Sequence, residues 1–176
     1  MPSATEPPTG YRFAPLQPGT SHFDDAVRIA SAAWPHEADG IADFFTRYAA
    51  LPGYHGLVAL RADGATVGHG LGARSLSGDW WHDTVATQIG AEHPALQDAW
   101  ALVNLAVAPE ARGQGTGGAL METLLAAQPC PRALLSTEVS NTTARRLYER
   151  HGWRYLHPGF VFTPGDQPFV VMAREL

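Results

Sequence analysis

From residue 107 to residue 120 the chain reads VAPEARGQGTGGAL: an apolar run, a glycine-rich loop opened by an arginine, and a run with helical apolar spacing. Glycines let the backbone approach an anion without Cβ clashes, and the N–H groups at a helix N-terminus offer it donors and a favourable dipole. A Walker P-loop needs Gly-Lys followed by Ser or Thr. All 12 Lys+Arg residues here are arginine, which excludes that loop, a Schiff-base lysine and a lysine general base. A dinucleotide fingerprint fits by pattern, because Gly113, Gly115 and Gly118 satisfy G-x-G-x-x-G and Glu138 follows about twenty residues on. Its context does not fit. In that fold the glycines turn directly off the first strand, whereas APEAR intervenes here, past the chain's midpoint, with too little sequence left for a second mononucleotide half. The remaining reading is Arg112 to Gly117 as R-x-x-G-x-G, with a plain glycine turn before a helix as its structural alternative.

At 176 residues the chain has the length of one domain with a real core. YRFAPL alternates like a first strand, and TSHFDDAVRIASAAW follows with a Ser/Thr cap and helical apolar spacing. EADGIADFFTRYAAL supplies a second helix, with Ile41, Phe44, Phe45 and Tyr48 on one face, ended by Pro52-Gly53. GLVAL and ATVGHGLGAR flank an Asp-Gly pair suited to a hairpin. A long polar-aromatic segment follows, more than a hairpin loop needs and partly helical in its pattern. Next come the strand ALVNLAV, the glycine loop, the helix GALMETLLAAQ, the strand PRALLSTEV, the capped helix NTTARRLYERHG and two closing strands.

LAVAPEARGQGTGGAL resembles strand 4, the pyrophosphate loop and helix 3 of the GCN5-related N-acetyltransferase (GNAT) superfamily. NTTARRLYERHGW resembles that family's second signature, in the expected order. The resemblance is motif-specific from about residue 101 to 155 and rests on element order elsewhere. It implies an α/β (α+β) fold: a central mixed, mostly antiparallel sheet of about six to seven strands, splayed between strands 4 and 5 and flanked by helices. It also implies a single GNAT acetyltransferase domain over residues 1–176, with 1–9 flexible and 75–99 an inserted, lid-like segment. Acetyl-CoA is the implied cosubstrate. Leu105, Ala106 and Val107 would pair with its pantetheine arm through backbone. Arg112, Gly113, Gln114, Gly115, Thr116, Gly117 and Gly118 would hold its diphosphate. Asn141, Ala144 and Tyr148 are spaced to share one helix face. By resemblance Asn141 hydrogen-bonds the pantetheine, Ala144 keeps the face flat, and Tyr148 points its hydroxyl at the thioester sulfur.

The implied activity is N-acetyltransfer from acetyl-CoA to a primary amine of a small molecule or protein by direct attack. An alkyl amine with a reference pKa near 10.4 is neutral in only about one molecule in several thousand at pH 7, a penalty of roughly 4 to 5 kcal/mol, so a base helps. Strand 4 offers Asn104 where some family members carry a glutamate. Glu138 is the chosen substitute, with Asp79, His82 and Asp83 as others. For the acceptor, Trp34, His36 and Glu37 occupy the break between the first two helices. Trp80, Trp81, His82 and Asp83 in GDWWHD could bind a cation through ring faces and charge, or form a lid packed on the core with one Trp inward. An acyl-CoA-binding sensor without catalysis is the competing class.

The remaining expectations are exclusions. The eight histidines show no metal spacing, so no metal is expected. A net charge of −5 without a basic run disfavours nucleic acid. No apolar run reaches membrane-spanning length, and the start lacks a signal-peptide pattern, so no membrane partner and a cytoplasmic address are expected. Cys130 has no second cysteine to pair with. A homodimer is a possible assembly.

Overall fold

The computed structural model describes residues 10–176; the expectation for residues 1–9 lies outside the described residues. The elements in chain order are β1 (Tyr11–Pro15), α1 (Ser21–Ala33), α2 (Ile41–Ala49), β2 (His55–Arg61), β3 (Thr66–Ser75), α3 (Trp80–Ile89), β4 (Ala99–Val107), α4 (Thr116–Ala126), β5 (Arg132–Glu138), α5 (Thr142–Arg150), β6 (Arg154–Phe160) and β7 (Phe169–Glu175). Three short 3-10 turns join them at Pro35–Gly40, Pro94–Leu96 and Pro109–Ala111. The seven strands form one mixed sheet in the order β1-β2-β3-β4-β5-β7-β6. β4 and β5 run parallel, with Ala99–Ala101 against Arg132–Leu134. The β1–β2, β2–β3, β5–β7 and β6–β7 pairs are antiparallel.

The chain divides into two compact units, the first made of the described part of Met1–Ala73 with Leu102–Gln128. Thr20 caps α1 by accepting the Phe23 N–H at 3.2 Å. The periodic apolar face that follows buries Phe23, Ala26 and Ala30 with Ile41 and Phe45 of α2 against Val58, Leu60 and Leu71. Full burial of a Phe45 or a Leu71 is worth roughly 1.5 to 3 kcal/mol each. On the opposite face of β3, β4 and α4 come close to the two glycines. A Cβ on Gly70 would lie 2.7 Å from Leu124 Cδ1, and one on Gly68 would lie 3.0 Å from the Ala106 carbonyl oxygen. The β2–β3 turn spans 62–65, where Gly64 takes φ +87° and Asp63 accepts the Ala65 N–H.

The second unit is Arg74–Ala101 with Pro129–Leu176. Its core joins Val85 of α3, Ala95, Leu96, Ala99, Leu134 and Val171, with Trp81, Leu156, Phe160 and Phe162 packed around them. α3 is thus packed through Val85, which is fully buried, with Trp81 turned inward and Trp80 63% exposed. Among the described residues no helix is long and apolar enough to cross a membrane.

Candidate active site

In the first unit, β4 runs into the glycine loop through the turn at Pro109–Ala111. Arg112 folds back on the strand, its Nε–H donating to the Val107 carbonyl at 2.9 Å. This bond pins the loop to the end of β4 and leaves the terminal guanidinium nitrogens outside it. Gln114 is held from two sides: it donates to the Glu110 carbonyl at 3.4 Å and accepts from the Tyr11 hydroxyl at 2.7 Å. Gly113 and Gly115 take φ of +74° and +81°, a region that L side chains enter only with strain, and a Cβ at either would meet nothing within 4 Å. These two glycines are therefore dictated by backbone conformation and leave open space above the loop. The Ala119 N–H closes the first turn of α4 onto the Gly115 carbonyl at 3.0 Å, so the N–H groups of Thr116, Gly117 and Gly118 stand ahead of the helical ladder. Thr116 is 1% exposed, and its Oγ1 has no partner. A buried hydroxyl left unpaired beside free helix N–H donors suits an anionic ligand rich in acceptor oxygens, such as a diphosphate.

Leu105, Ala106 and Val107 lie on β4 in the same unit, with Ala106 buried against Ile29 and Ala108. Behind them is a polar contact that sequence reasoning missed. His69 of β3 is fully buried, and its Nε2 lies 2.6 Å from Asn104 Oδ1, edge-on to Phe45. Burial lowers the His69 pKa to about 4 against the opposing effect of that hydrogen bond, so the ring is neutral, Nε2 carries the proton, and Nδ1 is left without a partner. Asn104 is thus committed to a histidine, and β4 presents no carboxylate. One signal was available: a histidine between two glycines, Gly68 and Gly70, in a strand. Trp34, His36 and Glu37 also belong to this unit. Trp34 packs half-buried against the core, while His36 and Glu37 are exposed and 3.5 Å apart.

In the second unit Asn141 caps α5, its Oδ1 accepting the Ala144 N–H at 3.2 Å. Ala144 and Tyr148 follow on the same face. Tyr148 is 8% exposed, its ring 5.9 Å from Trp153, and burial raises its hydroxyl pKa to about 12. Tyr148 is therefore a fully protonated donor at neutral pH. Glu138, at the end of β5, is half-buried and accepts the Ser140 hydroxyl at 3.1 Å. Of GDWWHD, His82 is buried with its Nδ1 2.9 Å from Ser75 Oγ, and Asp79 and Asp83 accept backbone N–H groups of Leu76 and Gly78. These three side chains hold the start of α3, whereas Trp80 faces solvent. Among the described residues no group of three or more His, Cys, Asp or Glu could hold a metal.

A mixed sheet with a parallel β4–β5 pair, whose β4 leads into a glycine-rich helix N-terminus, defines an α/β fold. Residues 52–155 match the Acetyltransferase (GNAT) domain family, and the chain belongs to that family. It is 31% identical over 120 residues to the GCN5-like protein acetyltransferase Rv2170 of Mycobacterium tuberculosis, covering 62% of this chain and 58% of that protein. The chain therefore spans little more than half the length of that relative. Among solved structures it resembles the NatC complex bound to Gag peptide and CoA (TM-score 0.69, 17% identity, 96% of this chain and 99% of that one). It also resembles aminoglycoside 6'-acetyltransferase type Ii (TM-score 0.69, 18% identity, 93% of this chain and 96% of that one). At these identities the likeness is one of fold.

Proposed function

We propose that the chain is an acetyl-CoA-dependent N-acetyltransferase that acetylates a primary amine of a small molecule or protein by direct attack, residues 1–176 acting as one catalytic domain. The observation that carries this reading is the loop before α4: two positive-φ glycines over open space, free helix N–H groups and the unpaired buried hydroxyl of Thr116. The diphosphate of the cosubstrate is assigned to this loop, with Arg112 adding charge-assisted bonds through its terminal nitrogens. Leu105 to Val107 and Asn141 are assigned to the pantetheine arm.

Tyr148 is the hydroxyl offered to the leaving sulfur. Its pKa of about 12 refines the role. Full proton transfer to a thiolate of reference pKa near 8.5 would be uphill by about 5 kcal/mol. A hydrogen bond that strengthens as charge builds on sulfur fits better, the proton itself coming from the amine as the new bond forms. Glu138 is the candidate base for the other proton, the one an ammonium acceptor gives up before it attacks, since Asn104 cannot take it.

The test is release of free CoA thiol from acetyl-CoA across a panel of amines, with the acetylated amine identified by mass. Turnover with at least one amine is expected. Acetyl-CoA binding with no turnover across the panel would leave a sensor module in place of an enzyme.

A further inference from the structure

The aromatic side chains of α3 meet those of the last two strands. The Trp81 Nε1–H donates to Ser136 Oγ at 3.0 Å, and its ring stacks with Phe162 at 6.4 Å and an interplanar angle of 19°. Phe162 also contacts Phe160 at 4.5 Å and Phe169 at 5.5 Å. Trp80 joins the cluster from outside, its ring 5.7 Å from Phe162 and tilted by 45°, with 63% of the residue exposed. The other four aromatic residues are half-buried, so Trp80 alone presents an open ring.

Glu138 lies on the same face. Ser136 points to α3, as its bond from Trp81 requires, and Glu138 two residues on shares that side of β5. Phe169 stands directly opposite Glu138 on β7, and its ring touches Phe162. An exposed indole supported by a phenyl ring, with a carboxylate on the same sheet face, is the chemistry that recognises organic cations. The surroundings agree in sign: Asp79 and Asp83 bracket the tryptophans, and the chain carries −5. His157, against Phe160, is a titratable group facing the cluster from β6.

We propose that Trp80 and Phe162 form a subsite for an organic cation on the face that also carries Glu138, so that the preferred acceptor is an amine carrying a second ammonium or quaternary ammonium group and Glu138 stays free for the reacting amine. Trp80 and Phe162 hold the charged end through their rings, in the negative field of Asp79 and Asp83. The assignment of this cation to the acceptor rests on the acyl-transfer reading; the cation site itself does not.

Choline and its neutral carbon isostere, 3,3-dimethylbutan-1-ol, separate charge from shape. Their binding to the full chain is measured by ligand-observed saturation-transfer NMR, for the wild type and for Trp80→Ala. That variant removes an exposed side chain, and its fold is checked by melting temperature. Choline should bind at least about threefold tighter than the isostere, and Trp80→Ala should reduce that ratio about threefold to tenfold. Equal binding of the two, or a ratio unmoved by Trp80→Ala, overturns the cation site. In the transfer assay the ratio of kcat/KM for 1,4-diaminobutane over that for butylamine should fall by a similar factor in Trp80→Ala. An unchanged ratio overturns the acceptor assignment. If no amine turns over, it is the acyl-transfer reading that fails, and the choline comparison still decides the cation site.

Discussion

Lowering the pH towards 4 should destabilise this fold by about 3 kcal/mol through a single residue, His69. In an unfolded chain a histidine titrates near 6.5, whereas burial holds His69 at about 4. Above pH 6.5 both states are neutral and the group has no effect. Between pH 6.5 and about 4 the unfolded chain takes up the proton and the folded one does not, so stability falls as pH falls. The slope approaches about 1.4 kcal/mol per pH unit, and across that window it accumulates to about 3 kcal/mol. Below pH 4 both states are protonated and this contribution stops growing. Carboxylates add their own acid lability, so the informative quantity is the difference between the wild type and His69→Gln. Urea unfolding at pH 7.5, 6, 5 and 4.5 would measure it. The wild type should lose stability more steeply than the variant over that range, whatever the two absolute stabilities are. Parallel curves would refute the reasoning, because they would mean that His69 is either solvated or protonated within the fold.

Gly70→Ala should lower stability by about 1 to 3 kcal/mol, because its Cβ would lie 2.7 Å from Leu124 Cδ1 and 3.2 Å from Leu105 Cδ1. A double-mutant cycle with Leu124→Ala should recover part of that loss. Gly115→Ala meets no atom within 4 Å but must hold φ near +81°, which costs roughly 1 kcal/mol; calorimetry should also find a weaker Kd for acetyl-CoA. With Tyr148 protonated up to about pH 12, the kcat profile should rise as the amine deprotonates and show no falling limb below about pH 11. A falling limb near pH 9 would remove Tyr148 as the protonated donor.

Local pattern made much of the fold legible. The Thr20 cap, the Asn141 cap and the apolar faces of α1 and α2 depend on neighbours within a turn or two, and they fold as their spacing predicts. The glycine loop was legible because positive φ restricts the residue type at Gly113 and Gly115. The second helix begins later than its pattern suggested: Pro35–Gly40 forms a 3-10 turn and α2 starts at Ile41. Pro35 at the front and Gly40 at the end favour a short tight turn over continued α-helix. Contacts set by non-local register were not legible. His69 meets Asn104 across 35 positions and Trp81 meets Ser136 across 55. No single-strand pattern reports which strand becomes the neighbour. The same holds for Phe162, which lies beyond the end of β6 and meets Trp80 and Trp81 of α3 only in the folded chain.

The most direct test of acyl transfer is the steady-state rate of Tyr148→Phe against the wild type at saturating acetyl-CoA and amine. Loss of the hydroxyl should lower kcat by about a hundredfold, with the KM for acetyl-CoA changed by no more than about threefold. The ring and its packing on Trp153 are retained in phenylalanine, so the comparison isolates one donor. An unchanged kcat would contradict the assignment of Tyr148 to the leaving sulfur.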